Sequence, residues 1–460
     1  MSTREEKDSL GIVSVPAESY WGAQTQRAVE NFPVSGVTFP AVFIRTLALV
    51  KKGAAVANQD LGLLDKKLSE AIIQAAQEVV DGKLDGHFPL DVFQTGSGTS
   101  TNMNANEVIA GRANEIITGT RGGKSPVHPN DHVNMGQSSN DVIPSVIHIA
   151  SLIEINNRLL PALARLQQSL ARKSGEFGNI MKIGRTHLQD AIPIRLGQEF
   201  GGYARQIELA VMRIKAAGTS LSELSLGGTA VGNGLNTHPE FARRVITLIS
   251  EETGFPFSEA RNHFAAQAMP DAALETSGAL KELAVTLSKI AGDIRLMASG
   301  PRCGLGEINL PSLQPGSSIM PGKINPVIIE VVVQVAAQVI GNDTAIAIGC
   351  QGGFFELNTM LPLIAYNLLN SFNLLISTAT LFDEKCVRGI TANAERCTAE
   401  IEQSLALATY LTPRLGYDRA AKIANEAFLT GKTVRQVARE SGLLTDDEVE
   451  AALSKIYSDI

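Results

Sequence analysis

The sequence predicts a mainly α-helical protein: a long central helical bundle flanked by a mixed N-terminal domain and a small helical C-terminal domain. Three observations carry that expectation. Apolar residues make up 44% of the 460 and aromatics only 5%, a composition rich in Ala, Leu, Ile and Val that suits helices packed on helices. Apolar residues also recur at helical spacing over stretches well beyond the usual three or four turns, and such helices need neighbours along their length. Finally, the tail carries Thr445-Asp-Asp-Glu448, a capping box that opens a short helix. The expected divisions are 1–138, 139–390 and 391–460.

Residues 1–138 mix short extended pieces with helical patterns over 40–59, 65–81 and about 105–117. A turn rich in Gly, Ser, Thr and Asn, Phe93-Gln-Thr-Gly-Ser-Gly-Thr-Ser-Thr-Asn, leads into the third of these. From Val142 through Val146, Ile149, Ile153, Leu160, Leu163, Leu166 and Leu170 the apolar period is about 3.6, so one long helix is predicted, with Pro161 as its kink. Further helices are expected over about 195–225, 239–252, 269–299, 326–341 and 360–382. Gly227-Gly228 and Gly232-Asn-Gly234 break the pattern between the first two. No internal repeat or low-complexity tract is present.

The helix predicted from 326 needs a membrane check, since Glu330 is the one charge between Ile324 and Asn342. Glu330, Gln334 and Gln338 fall at i, i+4 and i+8, however, and a polar stripe on an apolar helix fits the middle of a bundle better than a bilayer. A net charge of −7 with no basic run argues against nucleic acid or an anionic membrane as partner. Cys303, Cys350, Cys386 and Cys397 have no metal-like spacing. The acidic, polar start has neither a secretory apolar core nor transit character, and a cytoplasmic location is expected. Apolar faces this long also suggest a homo-oligomer.

Four interruptions share one character: 96–102, 137–141, 184–190 and 316–326 are Gly-, Ser-, Thr- or Asn-rich turns, three of them leading into long helices. One alone is ordinary capping. Four together point to a small anionic ligand, because free N–H groups, hydroxyls and amides at helix starts suit carboxylate or phosphate oxygens. The last, Gly316-Ser-Ser-Ile-Met-Pro-Gly-Lys-Ile-Asn-Pro326, supplies Lys323. It is not a Walker loop: five residues separate Gly316 from Gly322 instead of four, and Ile324 stands where Ser or Thr is required.

Two titratable residues stand out. Glu330 is a carboxylate in an otherwise uncharged apolar helix, which is costly unless paired. His187, in Arg185-Thr-His-Leu-Gln, is the partner to expect, as a proton-handling couple. His128 and His132 lack convincing metal spacing, and no dinucleotide fingerprint, nucleophile elbow or zinc motif occurs. The residues alone therefore suggest proton-transfer chemistry without cofactor or metal. His187 would be the base, Lys323 and Asn325 the stabilisers of an enolate-like charge, and Ser317 a ligand only.

The 316–326 segment resembles the signature of the fumarase/aspartase superfamily. So do Val15-Pro-Ala-Glu-Ser-Tyr-Trp-Gly-Ala-Gln-Thr, Gln94-Thr-Gly-Ser-Gly-Thr, Gly184-Arg-Thr-His-Leu-Gln-Asp-Ala and Leu226-Gly-Gly-Thr-Ala-Val-Gly. The likeness spans nearly the whole chain and is strongest to class II fumarate hydratases, which are metal-independent. It implies a fumarase/aspartase-like fold, a homotetramer with each site built from three chains, and reversible hydration of fumarate to (S)-malate without cofactor. It also reassigns the base. Ser317 takes that role, removing the C3 proton of malate, while His187 handles the hydroxyl through a water with Glu330 as its partner. Substrate oxygens would be held by Ser97, Gly98, Thr99, Ser138, Ser139, Asn140, Thr186, Ser318, Lys323, Ile324 and Asn325. A second dicarboxylate site would fall at His128, Pro129, Asn130 and Asp131. Ser125 stands where such enzymes often carry an arginine, so that site is weakened.

Aspartate ammonia-lyase is the alternative. Ser138-Ser139-Asn140, Gly353-Phe-Phe-Glu-Leu-Asn358 and Gln94 to Thr99 follow the hydratase pattern. Asn130-Asp-His-Val-Asn and Gly389-Ile-Thr-Ala-Asn393 resemble the ammonia-lyase. The superfamily also includes non-catalytic lens components. Loss of Ser317, Lys323, His187 or Glu330 would signal such a relative, and all four are intact.

Overall fold

The computed structural model describes residues 2–455, and helices dominate them. The N-terminal hairpin pairs β1 (Thr3–Asp8) with β2 (Gly11–Pro16), antiparallel, with Thr3 opposite Pro16 and Asp8 opposite Gly11. Then come α1 (Ala23–Asn31), α2 (Ala41–Asp60), α3 (Lys66–Val80), α4 (Thr99–Thr118), α5 (Ser139–Glu154) and α6 (Leu160–Glu176). A second hairpin, β3 (Met181–Thr186) with β4 (Gln189–Arg195), precedes α7 (Leu196–Ser220). The chain continues through α8 (Phe241–Thr253), α9 (His263–Ala268), α10 (Asp271–Met297), α11 (Val327–Cys350) and α12 (Leu361–Lys385). It closes with α13 (Ala394–Gln403), α14 (Thr412–Leu415), α15 (Tyr417–Thr430), α16 (Val434–Glu440) and α17 (Asp446–Leu453). The mainly α expectation holds.

Contacts divide the chain into two compact units, Met1–Pro161 with Val211–Ala284 and Ala336–Ile376, and Ala162–Ala210 with Val285–Val335 and Ser377–Ile460. In the first unit α2 lies against α3, α5 and α8. Phe43, Leu47, Val50 and Ala54 of α2, Ile72 and Ala75 of α3, and Val142 and Val146 of α5 are all buried. Burying each of the larger side chains stabilises the fold by roughly 2 kcal/mol. The helix starts are written locally: Asp65 accepts from the Lys67 and Leu68 N–H groups ahead of α3, and Ser138 with Asp141 forms a capping box ahead of α5.

In the second unit the tail folds around its own apolar cluster. Ile401, Leu407, Leu411, Ile423, Val434, Val437, Val449 and Leu453 form it, and Met181 of β3 joins them. The predicted Thr445/Glu448 capping box is formed, and a second, Thr433 with Gln436, starts α16.

Two helices differ from expectation. The long helix from 139 is interrupted not at Pro161 but in the turn before it, Ile155–Leu159, where the Leu160 N–H reaches back five residues to the Ile155 carbonyl. A wider turn there accommodates the proline ring that the regular repeat would crowd. The helix from 326 does not stop at Gly341 but runs on to Cys350. Its polar residues there are satisfied by neighbours: the Asn342 amide donates to the Ser371 hydroxyl at 3.0 Å, and the Ser277 hydroxyl to Asp343 at 2.8 Å. Among the described residues α11 is the one helix long and apolar enough to cross a membrane, yet only 33% of its most apolar stretch is buried within this chain.

Candidate active site

Two of the four polar turns meet in the first unit. Ahead of α4 the chain turns through Gly98 with φ of +71°, the left-handed region that glycine enters without penalty. That turn brings the Ser97 hydroxyl 2.7 Å from the Thr99 hydroxyl. Thr99 in turn lies 2.7 Å from the Ser139 hydroxyl at the start of α5. The Asn140 amide is fixed by donating to the Ala230 carbonyl at 2.8 Å. Two helix N-termini thus converge on one half-buried row of hydroxyls, an arrangement that suits a carboxylate.

Asp141 organises the ground beneath this row. It is fully buried, and burial pushes its carboxyl up from the ordinary value. Three backbone N–H groups oppose that, donated by Ser138 at 3.0 Å, Gly227 at 3.0 Å and Thr229 at 2.9 Å. The Gly-Gly segment that breaks the helical pattern at 227 is therefore a tether for the Ser-Ser-Asn turn. Sequence reasoning missed this role of Asp141.

The other two turns lie in the second unit. His187 and Leu188 form the two-residue tip of the β3–β4 hairpin, exposed and with φ of +56° and +60°. Asn and Gly usually occupy such a tip, and a Leu there is strained. Among the described residues His187 makes no ion pair and no hydrogen bond through its ring. The neighbouring Arg185 turns inward, to Glu307 at 2.7 Å and Glu400 at 3.1 Å.

The 316–326 loop is closed on itself. The Gly316 N–H donates to the Lys323 carbonyl at 2.8 Å, and the Asn325 amide donates to the Gly316 carbonyl at 2.7 Å. A Cβ at Gly316 would stand 2.5 Å from the Lys323 carbonyl oxygen, so only glycine fits. Inside the loop the Ser317 hydroxyl oxygen accepts the N–H groups of Ile319 at 3.2 Å and Met320 at 2.9 Å. Ser318 is exposed beside it.

Lys323, Ile324, Asn325 and Glu330 line one cavity of about 640 Å³, together with Arg295 and Ser312. Glu330 sits half-buried in the first turn of α11, where the helix dipole favours its negative charge. It opens on the cavity rather than on the core. Within one chain it forms no ion pair with His187: among the described residues neither makes one.

Two family models match the chain: a lyase model over residues 11–341 and a fumarase C C-terminus model over residues 407–455. The class II fumarate hydratase of Nitrosomonas europaea is 54% identical, the match covering 97% of this chain and 97% of the relative. That of Halobacterium salinarum is 56% identical over 98% of this chain and 96% of its own. The chain belongs to the class II fumarate hydratase family. Among solved structures, recombinant class II fumarase from Schistosoma mansoni superposes with a TM-score of 0.97 at 42% identity, covering 99% of this chain and 98% of that one. A fumarate lyase:delta crystallin from Brucella melitensis gives 0.95 at 46% identity.

Set against the family's pattern, the turn at 125–133 has a local structure of its own. His128 caps the helical turn Pro129–Val133, its Nδ1 accepting the Asn130 and Asp131 N–H groups at 3.2 Å each, while Pro129 is buried. His132 accepts the His128 N–H at 2.9 Å. Both imidazoles thus serve the turn's own backbone. One further residue escaped sequence reasoning altogether. Lys51 is completely buried in α2, donating to Asn102, Asn134 and Gln137. Its signal was present: Leu47, Lys51 and Ala54 share one helical face, so a lysine stands in the apolar stripe.

Proposed function

We propose that the chain catalyses the reversible addition of water to fumarate, giving (S)-malate. The observation that carries this reading is membership of the class II fumarate hydratase family along nearly the whole chain. A small dicarboxylate is the substrate. In the direction of dehydration, Ser317 takes the C3 proton of malate. What supports a serine in this role is its surroundings: two backbone N–H groups already point at its oxygen and would stabilise the alkoxide. Lys323 and Asn325, which line one cavity with Glu330, meet the negative charge that builds on the adjacent carboxylate. The C2 hydroxyl leaves as water, protonated through a water held by His187, with Glu330 as its partner. The hydroxyl row Ser97, Thr99 and Ser139, with Gly98, Ser138 and Asn140, binds carboxylate oxygens. Thr186, Ser318 and Ile324 complete the wall. A second dicarboxylate is taken at His128, Pro129, Asn130 and Asp131.

The assembly proposed is a homotetramer whose sites draw residues from three chains. In its favour, the long helices leave apolar side chains exposed, among them Met212 of α7, Val285 of α10 and Ile348 of α11. The unmet His187 and Glu330 also fit a site completed by other copies. The divisions 1–138, 139–390 and 391–460 belong to the proposal, as does a cytoplasmic location, which suits four cysteines that are all free thiols. Nucleic acid and membrane have no part in it.

The test is direct. Purified protein should consume the ultraviolet absorbance of fumarate in ammonium-free buffer. Loss of absorbance that appears only after ammonium is added would replace the hydratase reading by an ammonia-lyase.

A further inference from the structure

The mechanism above leaves one buried cation unused. Lys51 has no solvent exposure, and its ammonium donates to the side-chain oxygens of Asn102 at 2.7 Å, Asn134 at 2.9 Å and Gln137 at 3.0 Å. Asn102 lies in the first turn of α4, one turn on from Thr99. Asn134 and Gln137 lie in the bend that delivers Ser138 and Ser139. The acceptors are also tied to one another: the Asn102 amide donates to Asn134 at 3.2 Å, and the Asn134 amide to the Gln137 carbonyl at 3.1 Å. One side chain thus spans both turns whose hydroxyls meet.

A bridge alone would not need a charge. Burying an ammonium costs several kcal/mol even when hydrogen-bonded, and neutral side chains of similar size commonly replace buried ions without loss of stability. Among the described residues Lys51 makes no ion pair. Burial pushes its ammonium down to about 7, and the charge of Asp141 opposes that, but three backbone N–H groups already satisfy that carboxylate. Three acceptors can be served at once only by the charged form, which has three N–H donors. Its field adds to the N-termini of α4 and α5, both aimed at the same hydroxyl row. An anion at that row would complete the charge balance that the neutral acceptors of Lys51 leave open.

We propose that Lys51 is a positioning residue for substrate: a buried ammonium that locks the Ser97–Thr99 and Ser138–Ser139 turns together and supplies the positive field for one carboxylate of the dicarboxylate. This rests on the hydratase reading for the identity of that anion.

The test compares Lys51→Met, which removes charge and donors, with Gln137→Met, which removes one acceptor on the Ser138 side. KM and kcat for fumarate hydration are measured for each, along with the dissociation constant of succinate as an unreactive dicarboxylate. Lys51→Met should raise KM and the succinate constant at least tenfold, with a smaller fall in kcat. Gln137→Met should raise both constants several-fold, and it keeps the proposal testable if Lys51→Met does not fold. The same change at the adjacent Lys52, which pairs with Glu252 instead, should move neither. Variants that melt earlier but keep wild-type KM and succinate affinity would overturn the proposal and leave Lys51 a structural bridge. Wild-type protein that binds succinate but does not hydrate fumarate would overturn the hydratase reading instead. The succinate constants of the variants would then decide the role of Lys51.

Discussion

Arg185 Nη1 stands 2.7 Å from a carboxylate oxygen of Glu307, and Glu307 has no exposure to solvent. The arginine two residues before His187 is therefore anchored inside the protein. Glu307 also receives Lys182 at 2.9 Å, so two cations of one strand share it. Removing one partner of a buried pair leaves uncompensated charge. Glu307→Gln should destabilise the protein by about 3 kcal/mol, read as a lower denaturation midpoint. It should also lower kcat, because the hairpin that carries His187 loses its anchor. Wild-type stability would show that the pairs already present, Lys182 with Glu199 and Arg185 with Glu400, hold the two cations without Glu307.

For the base, Ser317→Ala should lower kcat by orders of magnitude while the assembly and its melting temperature stay unchanged. The hydroxyl lies in an exposed loop, and its loss frees only two exposed N–H groups to water. A rate near wild type would remove Ser317 from the chemistry and return the choice to His187.

His187→Asn separates handling of the hydroxyl from removal of the proton. It should lower kcat and change the shape of its pH profile, since the group that passes the proton to the leaving hydroxyl is gone. An unaltered profile would make His187 a structural turn residue.

Much of this is legible in the amino-acid sequence, and the part that is not has a common cause. Helix positions followed from apolar period, and the polar turns from Gly, Ser, Thr and Asn before helix starts, because both are local signals. That Thr99 touches Ser139, forty positions further along the chain, is not local, and no spacing encodes it. The overrun of α11 past Gly341 had the same origin, since Ser371 and Ser277 supply partners that lie far off in sequence. The direction of Arg185 likewise depended on Glu307, more than a hundred residues away.

Leu188 breaks a local rule in plain view. A large apolar side chain, 71% exposed, is held at φ +60° in the hairpin tip. Such strain costs on the order of 1 kcal/mol and tends to persist where function needs it. Leu188→Gly should therefore raise stability by roughly that amount, seen in thermal unfolding, while lowering kcat/KM. A gain in stability with full activity would mean that the strain serves nothing in the reaction.

The last prediction concerns acid. Asp91 is buried, six residues before Ser97. Burial by itself would raise its carboxyl, but the N–H groups of Phe93, Ser35 and Gly36, at 2.9, 2.6 and 2.7 Å, and the Ser35 hydroxyl hold it below the ordinary value. A carboxyl depressed in the folded state contributes stability above its unfolded pKa of about 3.9, and that stability is lost as pH falls through the folded value. Asp91→Asn keeps the shape but turns an amide donor toward three N–H groups. It should cost about 2 kcal/mol at neutral pH, measured from denaturant midpoints. The gap between variant and wild type should then narrow as the pH is taken below about 4, because the unfolded wild-type carboxyl takes up its proton there, and the interaction is lost altogether once the folded carboxyl is protonated too. A gap that stays constant into that range would mean that the N–H groups recognise the shape of the side chain and not its charge.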